Sequence, residues 1–209
     1  MPRDSRTRQQ LRSRVAAAAA RIIAEDGVLD YSLAKRKAAR QLGMGDLHIL
    51  PDNAQIEEAL RMHQSLYEGD EQTERIRYLR EEALRAMQLF FEFRPYLRGS
   101  VLKGTASRYN GIELQLFVED SKELELFLLN RNIRYEVGPS RAHGPQERGV
   151  PVFKLDWEGI PLSLAVHPTN DERMNVRPGR TAERASAAVL QKLLDAEDRQ
   201  DAGPASELP

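Results

Sequence analysis

The chain has 209 residues, 30% of them charged, with 31 Lys and Arg against 32 Asp and Glu and a formal net charge of −1. That balance gives no global field to draw in a polyanion, so any affinity for phosphate or nucleic acid must come from local clusters. There is no cysteine, which excludes disulfides, thiolate metal sites and a catalytic thiol and leaves oxygen and nitrogen groups to do any chemistry.

The start, MPRDSRTRQQLRSR, is basic and runs into alanines at 16–20 and then charges. No apolar run there suits a signal peptide or a membrane span, so a cytoplasmic protein without membrane contact is expected. Over 9–26, Leu11, Val15, Ala18, Ile22 and Ile23 recur at helical spacing, and Gly27 is placed to cap the end. After GVLDY, Ser32 is expected to cap a second helix through Leu42, and Asp52 or Asn53 a third over 54–67. EGDEQTE reads as a loop. A long helix follows over 73–91 and is ended by Pro95; its stripe of Ile76, Leu79, Leu84, Met87 and Phe91 suits an internal core or a homodimer.

Beyond Pro95 the period falls to two. Ile112, Leu114 and Leu116 alternate with Glu113, Gln115 and Phe117, the pattern of a strand. A helix capped by Asp120 or Ser121 runs to Asn130, Tyr135 to Val137 reads as a strand, and 150–156 and 160–167 form a hairpin about the turn WEG. A helix over 184–197 and a polar tail finish the chain. The expected fold class is α+β, a mixed sheet with packed helices behind a small helical bundle. The expected divisions are a helical module (1–72), an α+β domain opening with the long helix (73–183), and a C-terminal helix and tail (184–209).

Gly99, Ser100 and Gly104 form a Gly-Ser turn with a further glycine after it, and the alternating strand at 112–117 follows. Over roughly 86–168 this order resembles the nucleotidyltransferase superfamily of the polymerase-beta type. In that family the turn offers backbone N–H groups to a nucleotide phosphate, and an Asp-x-Asp strand with a third acid on a neighbouring strand holds divalent metals. Positions i and i+2 of a strand deliver carboxylates to one side of a sheet. Aligned without gaps, Gly111 stands where the first acid belongs and Glu113 where the second does. IPLSLAVHP, the best candidate for the neighbouring strand, carries no acid.

The resemblance therefore implies a nucleotidyltransferase-like protein with a degenerate metal motif. Gly99, Ser100, Lys103, Gly104 and Arg108 would serve a nucleotide or nucleic-acid phosphate, and Glu113 would be the one catalytic and metal-facing acid, able to assist a weakly held magnesium. Asp120 or Asp156 could restore an acid pair if the register differs. Arg98 and Arg131 are further candidates for a phosphate-facing rim, since Arg contacts phosphate oxygens in pairs.

GSVLKGTA lacks the residue order of an ATPase phosphate loop. His48, His63, His143 and His167 are dispersed and do not form a zinc motif, although His167 shares a face with Ser163. The first module offers an alternative, a DNA-binding regulator. A helix bearing Lys35, Arg36, Lys37 and Arg40, with the arm Arg3, Arg6, Arg8, Arg12 and Arg14, could neutralise DNA phosphates. The segment GMGDLHILPDN, however, has no ladder of basic or amide side chains for reading bases. A non-catalytic partner-binding role is the remaining alternative.

Overall fold

The structure, a computed structural model, describes residues 2–44, 50–67, 69–139, 150–174 and 184–201. His48, His143 and the tail from 202 lie outside the described residues, as do the side chains of Arg3 and Arg6. The chain divides into two compact units, Met1–Ile76 with Gly104–Asn110, and Arg77–Lys103 with Gly111–Pro209.

The first unit is helical: α1 (Pro2–Asp26), α2 (Tyr31–Gln41), α3 (Asn53–Tyr67) and the opening of α4 (Gly69–Leu89). The basic arm is not separate from α1. Arg and Gln are straight-chain helix formers, and Pro2 suits a first helical position, so the helix begins before its apolar stripe does. Val15, Ala16, Ala19, Ala20, Ile22 and Ile23 of α1 form one core with Ala34 and Ala38 of α2 and Ile56 and Leu60 of α3. Alanines at these contacts let the helix axes approach closely.

The cap of α2 differs from expectation, and α3 takes the first of its two expected caps. The cap of α2 is Asp30, whose Oδ1 accepts from the backbone N–H groups of Ser32 at 2.8 Å and Leu33 at 3.1 Å. A carboxylate one residue before Tyr31 satisfies donors that Ser32, already helical, cannot reach. Asp52 and Gln55 close α3 with a reciprocal box: Gln55 N–H donates to Asp52 Oδ1 at 2.8 Å, and Asp52 N–H to Gln55 Oε1 at 3.0 Å. EGDEQTE, expected as a loop, is helical from Gly69, with Asp70 and Glu71 in the first turn of α4, where negative charge complements the helix dipole.

The second unit is α+β. After α4 come a 3-10 turn (Phe91–Phe93), β1 (Tyr96–Arg98), α5 (Gly99–Lys103), β2 (Ile112–Val118), α6 (Ser121–Asn130), β3 (Tyr135–Pro139), β4 (Pro151–Trp157), β5 (Ile160–Pro168), α7 (Asp171–Met174), β6 (Arg184–Ala185) and α8 (Ala187–Asp201). The six strands lie in the order β3-β4-β5-β2-β1-β6. Among the described strands only the β2–β5 pair is parallel.

Ile112, Leu114 and Leu116 of β2, Leu162, Leu164 and Val166 of β5, and Phe153 and Leu155 of β4 are all buried. These residues alternate along their strands and so fall on one sheet face, where burial of apolar area stabilises the layer. α6 packs on β2, and its Phe127 meets Phe90 at 5.6 Å and Phe93 at 5.0 Å between ring centroids.

The expected helix at 184 starts differently: Arg184 and Ala185 pair with β1, and the helix begins at Ala187. Neither β1 nor β6 is long enough to show a readable alternation.

Candidate phosphate-binding turn and sheet face

β1 ends at Arg98, and the chain turns at once into α5 through Gly99, whose φ is +76°. Glu113 is the cross-strand neighbour of Arg98. Its carboxylate is seated against the turn so closely that a Cβ on Gly99 would stand 2.6 Å from Glu113 Oε1 and 2.8 Å from the carboxyl carbon. Glycine is favoured here by the left-handed backbone, and its missing Cβ leaves room for the flexible Glu113 side chain to sit against the turn.

Arg98 Nε lies 3.9 Å from Glu113 Oε2, with the Glu113 side chain 43% exposed. A pair this open is worth about 1 kcal/mol at most. The Ser100 hydroxyl is buried and has no hydrogen-bond partner among the described residues. Lys103, at the end of α5, is exposed.

The structure therefore brings together Gly99, Ser100, Arg98 and Glu113, with Lys103 at the far end of the same helix. Gly104 (φ +71°) and Arg108 belong to the Gly104–Asn110 segment of the first unit. There Arg108 lies over the Tyr109 ring at 5.0 Å, and its carbonyl accepts from Arg75 at 3.1 Å. Arg131 caps α6 and stacks on Phe127 at 3.9 Å.

α5 is held from behind by Arg80 of α4. Nearly all of this side chain is buried; its Nε donates to the Val101 carbonyl at 3.1 Å and its Nη2 to the Leu102 carbonyl at 2.9 Å. Its Nη1 pairs with Glu197 of α8.

Gly111 decides the metal question. Parallel pairing sets Ile112 beside Leu162, so the backbone of Pro161 runs alongside Gly111. A Cβ at Gly111 would land on the Pro161 carbonyl oxygen, well inside contact distance, and 2.9 Å from its carbonyl carbon. The place that the resemblance would give to a first acid is occupied by main chain. On β5 the residue opposite Glu113 is Ser163, and the one opposite Gln115 is Ala165.

The other acids considered are engaged elsewhere. Asp120 Oδ1 accepts from Lys122 N–H at 3.0 Å as the cap of α6, and Asp156 Oδ1 accepts from Gly159 N–H at 2.9 Å in the β4–β5 turn. Glu158 Oε2 lies 3.4 Å from Arg85. Among the described residues no three His, Cys, Asp or Glu side chains converge as metal ligands. A two-ion clamp needs several anionic oxygens around shared ions, and this donor set does not fit one.

The sequence did not reveal two features of the sheet face that carries Glu113. One is a row in direct register across all six strands: Arg184, Arg98, Glu113, Ser163, Lys154 and Glu136. It carries three basic and two acidic side chains about a central serine and includes half-buried and exposed members. The other is an aromatic and ionic cluster beside it. Arg184 lies over Tyr96 at 4.5 Å and Phe117 at 5.0 Å, and Phe117 meets Tyr96 and His167, each at 5.6 Å.

Glu172 of α7 accepts from the Tyr96 hydroxyl and from Arg94 Nη1, each at 2.9 Å, and Arg184 donates to its carbonyl. Burial pushes the Glu172 carboxyl up, but the Arg94 and Tyr96 hydrogen bonds and the charges of Arg94 and Arg184 outweigh it and hold the group below its ordinary range. Burial, with the adjacent Glu172, raises Tyr96. β1, β2, β5, α7 and β6 all contribute to this cluster, and no local motif marks it.

In the first unit, Lys35 Nζ donates to Asn53 Oδ1 at 2.8 Å, tying α2 to α3. Burial lowers its pKa against the opposing charge of Asp52. Arg36, Lys37 and Arg40 are exposed on α2, while residues 45–49 lie outside the described residues. His63 Nε2 is 3.7 Å from Glu25.

The two units define an α+β chain with an N-terminal helical region and a six-stranded mixed sheet. No family model, curated protein or solved structure matches it. Among the described residues no helix is long and apolar enough to cross a membrane.

Proposed function

We propose that the chain is a nucleotidyltransferase-like protein that binds the phosphate of a nucleotide or nucleic-acid end at the Gly-Ser turn and has lost two-metal transfer. The observation that carries this reading is the contrast between the two glycines. Gly99 keeps the turn open to an acid-bearing strand, while Gly111 lets the backbone of β5 close over the position a first metal ligand would need. A turn kept without its metal pair supports binding rather than transfer.

The binding chemistry rests on cations and backbone N–H groups. Arg98 is already within reach of one anionic group, Glu113, and a phosphate at the turn would share its guanidinium. The exposed Lys103 adds a positive charge. The unpartnered Ser100 hydroxyl is a donor to which the fold assigns no acceptor among the described residues.

The test pairs calorimetric titration of ATP in EDTA and in magnesium with mass-spectrometric detection of nucleotide transfer to protein, RNA or water. Binding without magnesium, weakened several-fold by Lys103→Ala, is expected. Transfer that requires magnesium and disappears in Glu113→Gln would overturn the reading in favour of an enzyme. The absence of any nucleotide-induced rise in melting temperature would turn it toward a partner-binding role.

A further inference from the structure

We infer that Arg80 and Glu197 are positioning residues through which the C-terminal helix α8 sets the geometry of the Gly-Ser turn. The ligand side of this inference rests on the proposed function above, but the mechanical side does not. The last carbonyls of a helix have no partner inside it, and in α5 those of Val101 and Leu102 are both met by one guanidinium. With only Gly99–Lys103 in the helix, α5 has too few internal hydrogen bonds to hold itself.

Arg80 reaches these carbonyls because Glu197 balances its charge where little water does; the Arg80 side chain is 9% exposed. A buried guanidinium deprived of its carboxylate is strongly unfavourable, and its easiest relief is to swing away from α5. α8 in turn is anchored by Leu190 and Leu194, both buried. The contacts form a continuous relay: α8, Glu197, Arg80, α5, Gly99 and the Glu113 carboxylate. Displacement of α8 by a partner would loosen the turn without touching it.

The adjacent residue supplies an internal control. Asp198 pairs with Arg77 at 2.5 Å, on the same two helices but outside the Glu197–Arg80 pair. Glu197→Gln and Asp198→Asn each remove one charge from α8, yet only the first breaks the relay.

The experiment is amide hydrogen exchange on the full chain, comparing wild type, Glu197→Gln, Asp198→Asn and Arg80→Lys. A Lys at this position keeps the charge but cannot serve two carbonyls and a carboxylate in the fork geometry of Arg. Exchange in Gly99–Lys103 is expected to rise about tenfold in Glu197→Gln and Arg80→Lys, the worth of roughly one charge-assisted hydrogen bond. Asp198→Asn should leave that segment unchanged, and β4 and β5 should stay protected in all three.

Equal effects of Glu197→Gln and Asp198→Asn, or a rise spread evenly through β4 and β5, would show a merely structural role and overturn the inference. Parallel titrations with ATP separate the two proposals. Wild-type protein that binds no ATP refutes the phosphate reading while the exchange data still decide the relay. Wild-type binding that Glu197→Gln leaves unchanged, despite a loosened turn, refutes the link between relay and ligand.

Discussion

Glu113→Gln distinguishes binding from catalysis by the sign of its effect. In a two-metal enzyme this carboxylate attracts the triphosphate through shared ions, and its loss abolishes binding and transfer together. Where the phosphate meets the turn directly, Glu113 is a like charge. A phosphate on the backbone N–H groups beside Gly99 would lie roughly 5 Å from a carboxylate seated on that glycine, costing about 0.8 kcal/mol in water and about 1.7 kcal/mol at half that dielectric constant.

With the side chain 43% exposed, the lower part of that range applies, about 1 kcal/mol or a fivefold change in affinity. Removing the acid also frees Arg98, 3.9 Å away, to turn to the ligand, so both effects act in the same direction. Calorimetry with ATP in EDTA should therefore show Glu113→Gln binding about fivefold more tightly than wild type, with the gap narrowing at high salt as screening grows. Weaker binding by Glu113→Gln in EDTA would refute the placement of phosphate at the turn.

Gly111→Ala should destabilise the chain by about 2–3 kcal/mol in denaturant unfolding, because the clash is with the Pro161 carbonyl and backbone cannot rotate aside; wild-type stability would show that the strands can part. Ser100→Ala should stabilise the free protein by up to about 1 kcal/mol by removing a buried, unpartnered hydroxyl, while weakening ATP binding; a lower melting temperature would reveal a partner for the hydroxyl. Glu172 has a depressed carboxyl pKa in the fold, so its stabilising effect is complete above the unfolded carboxyl range and is lost as pH falls through the folded value. Wild type should therefore lose stability more steeply than Glu172→Gln as pH falls through the carboxyl range, and identical acid limbs for the two would contradict the assignment. Trp157 is the sole tryptophan, and its indole donates to the buried Glu82 at 3.0 Å; Glu82→Gln should shift its emission, and an unchanged spectrum would place the indole elsewhere.

What the sequence reveals follows the length of each element. The apolar repeat of α1 and the alternation of β2 extend far enough for their periods to stand out, as do the hairpin strands β4 and β5, whose WEG turn carries positive φ at Glu158 and Gly159. β1 and β6 are too short to show a period, and their pairing joins residues separated by most of the second unit. The caps were ambiguous because Asp30 and Ser32, or Asp52 and Asn53, compete within a residue or two, and backbone geometry chooses between them.

The candidate site divides in the same way. Gly99, Ser100 and Glu113 are legible because one strand and one turn contain them. Arg80 and Glu197 look like ordinary helix charges until tertiary packing buries one against α5 and sets the other beside it. Arg184, Tyr96 and Glu172 likewise acquire meaning only when β6 and α7 come to β1.

Gly111 is more informative than the acid that remains. A missing carboxylate on an open strand could be restored by a single substitution. Here the space is taken by the main chain of β5, in a register fixed by the alternation of Leu162, Leu164 and Val166 into the core. A one-residue slip of β5 would turn every one of those side chains to the opposite face, so the register cannot adjust to admit an acid without loss of the core. Two-metal chemistry at this face would require the strands to separate at Gly111 and an acid in place of Ser163 beside Glu113. The turn faces no such obstacle: Gly99 keeps its left-handed backbone and its close contact with Glu113, and Arg80 keeps α5 in place. Under the proposed reading, phosphate recognition at the turn needs the glycine, the cations and the backbone donors, and needs nothing at Gly111.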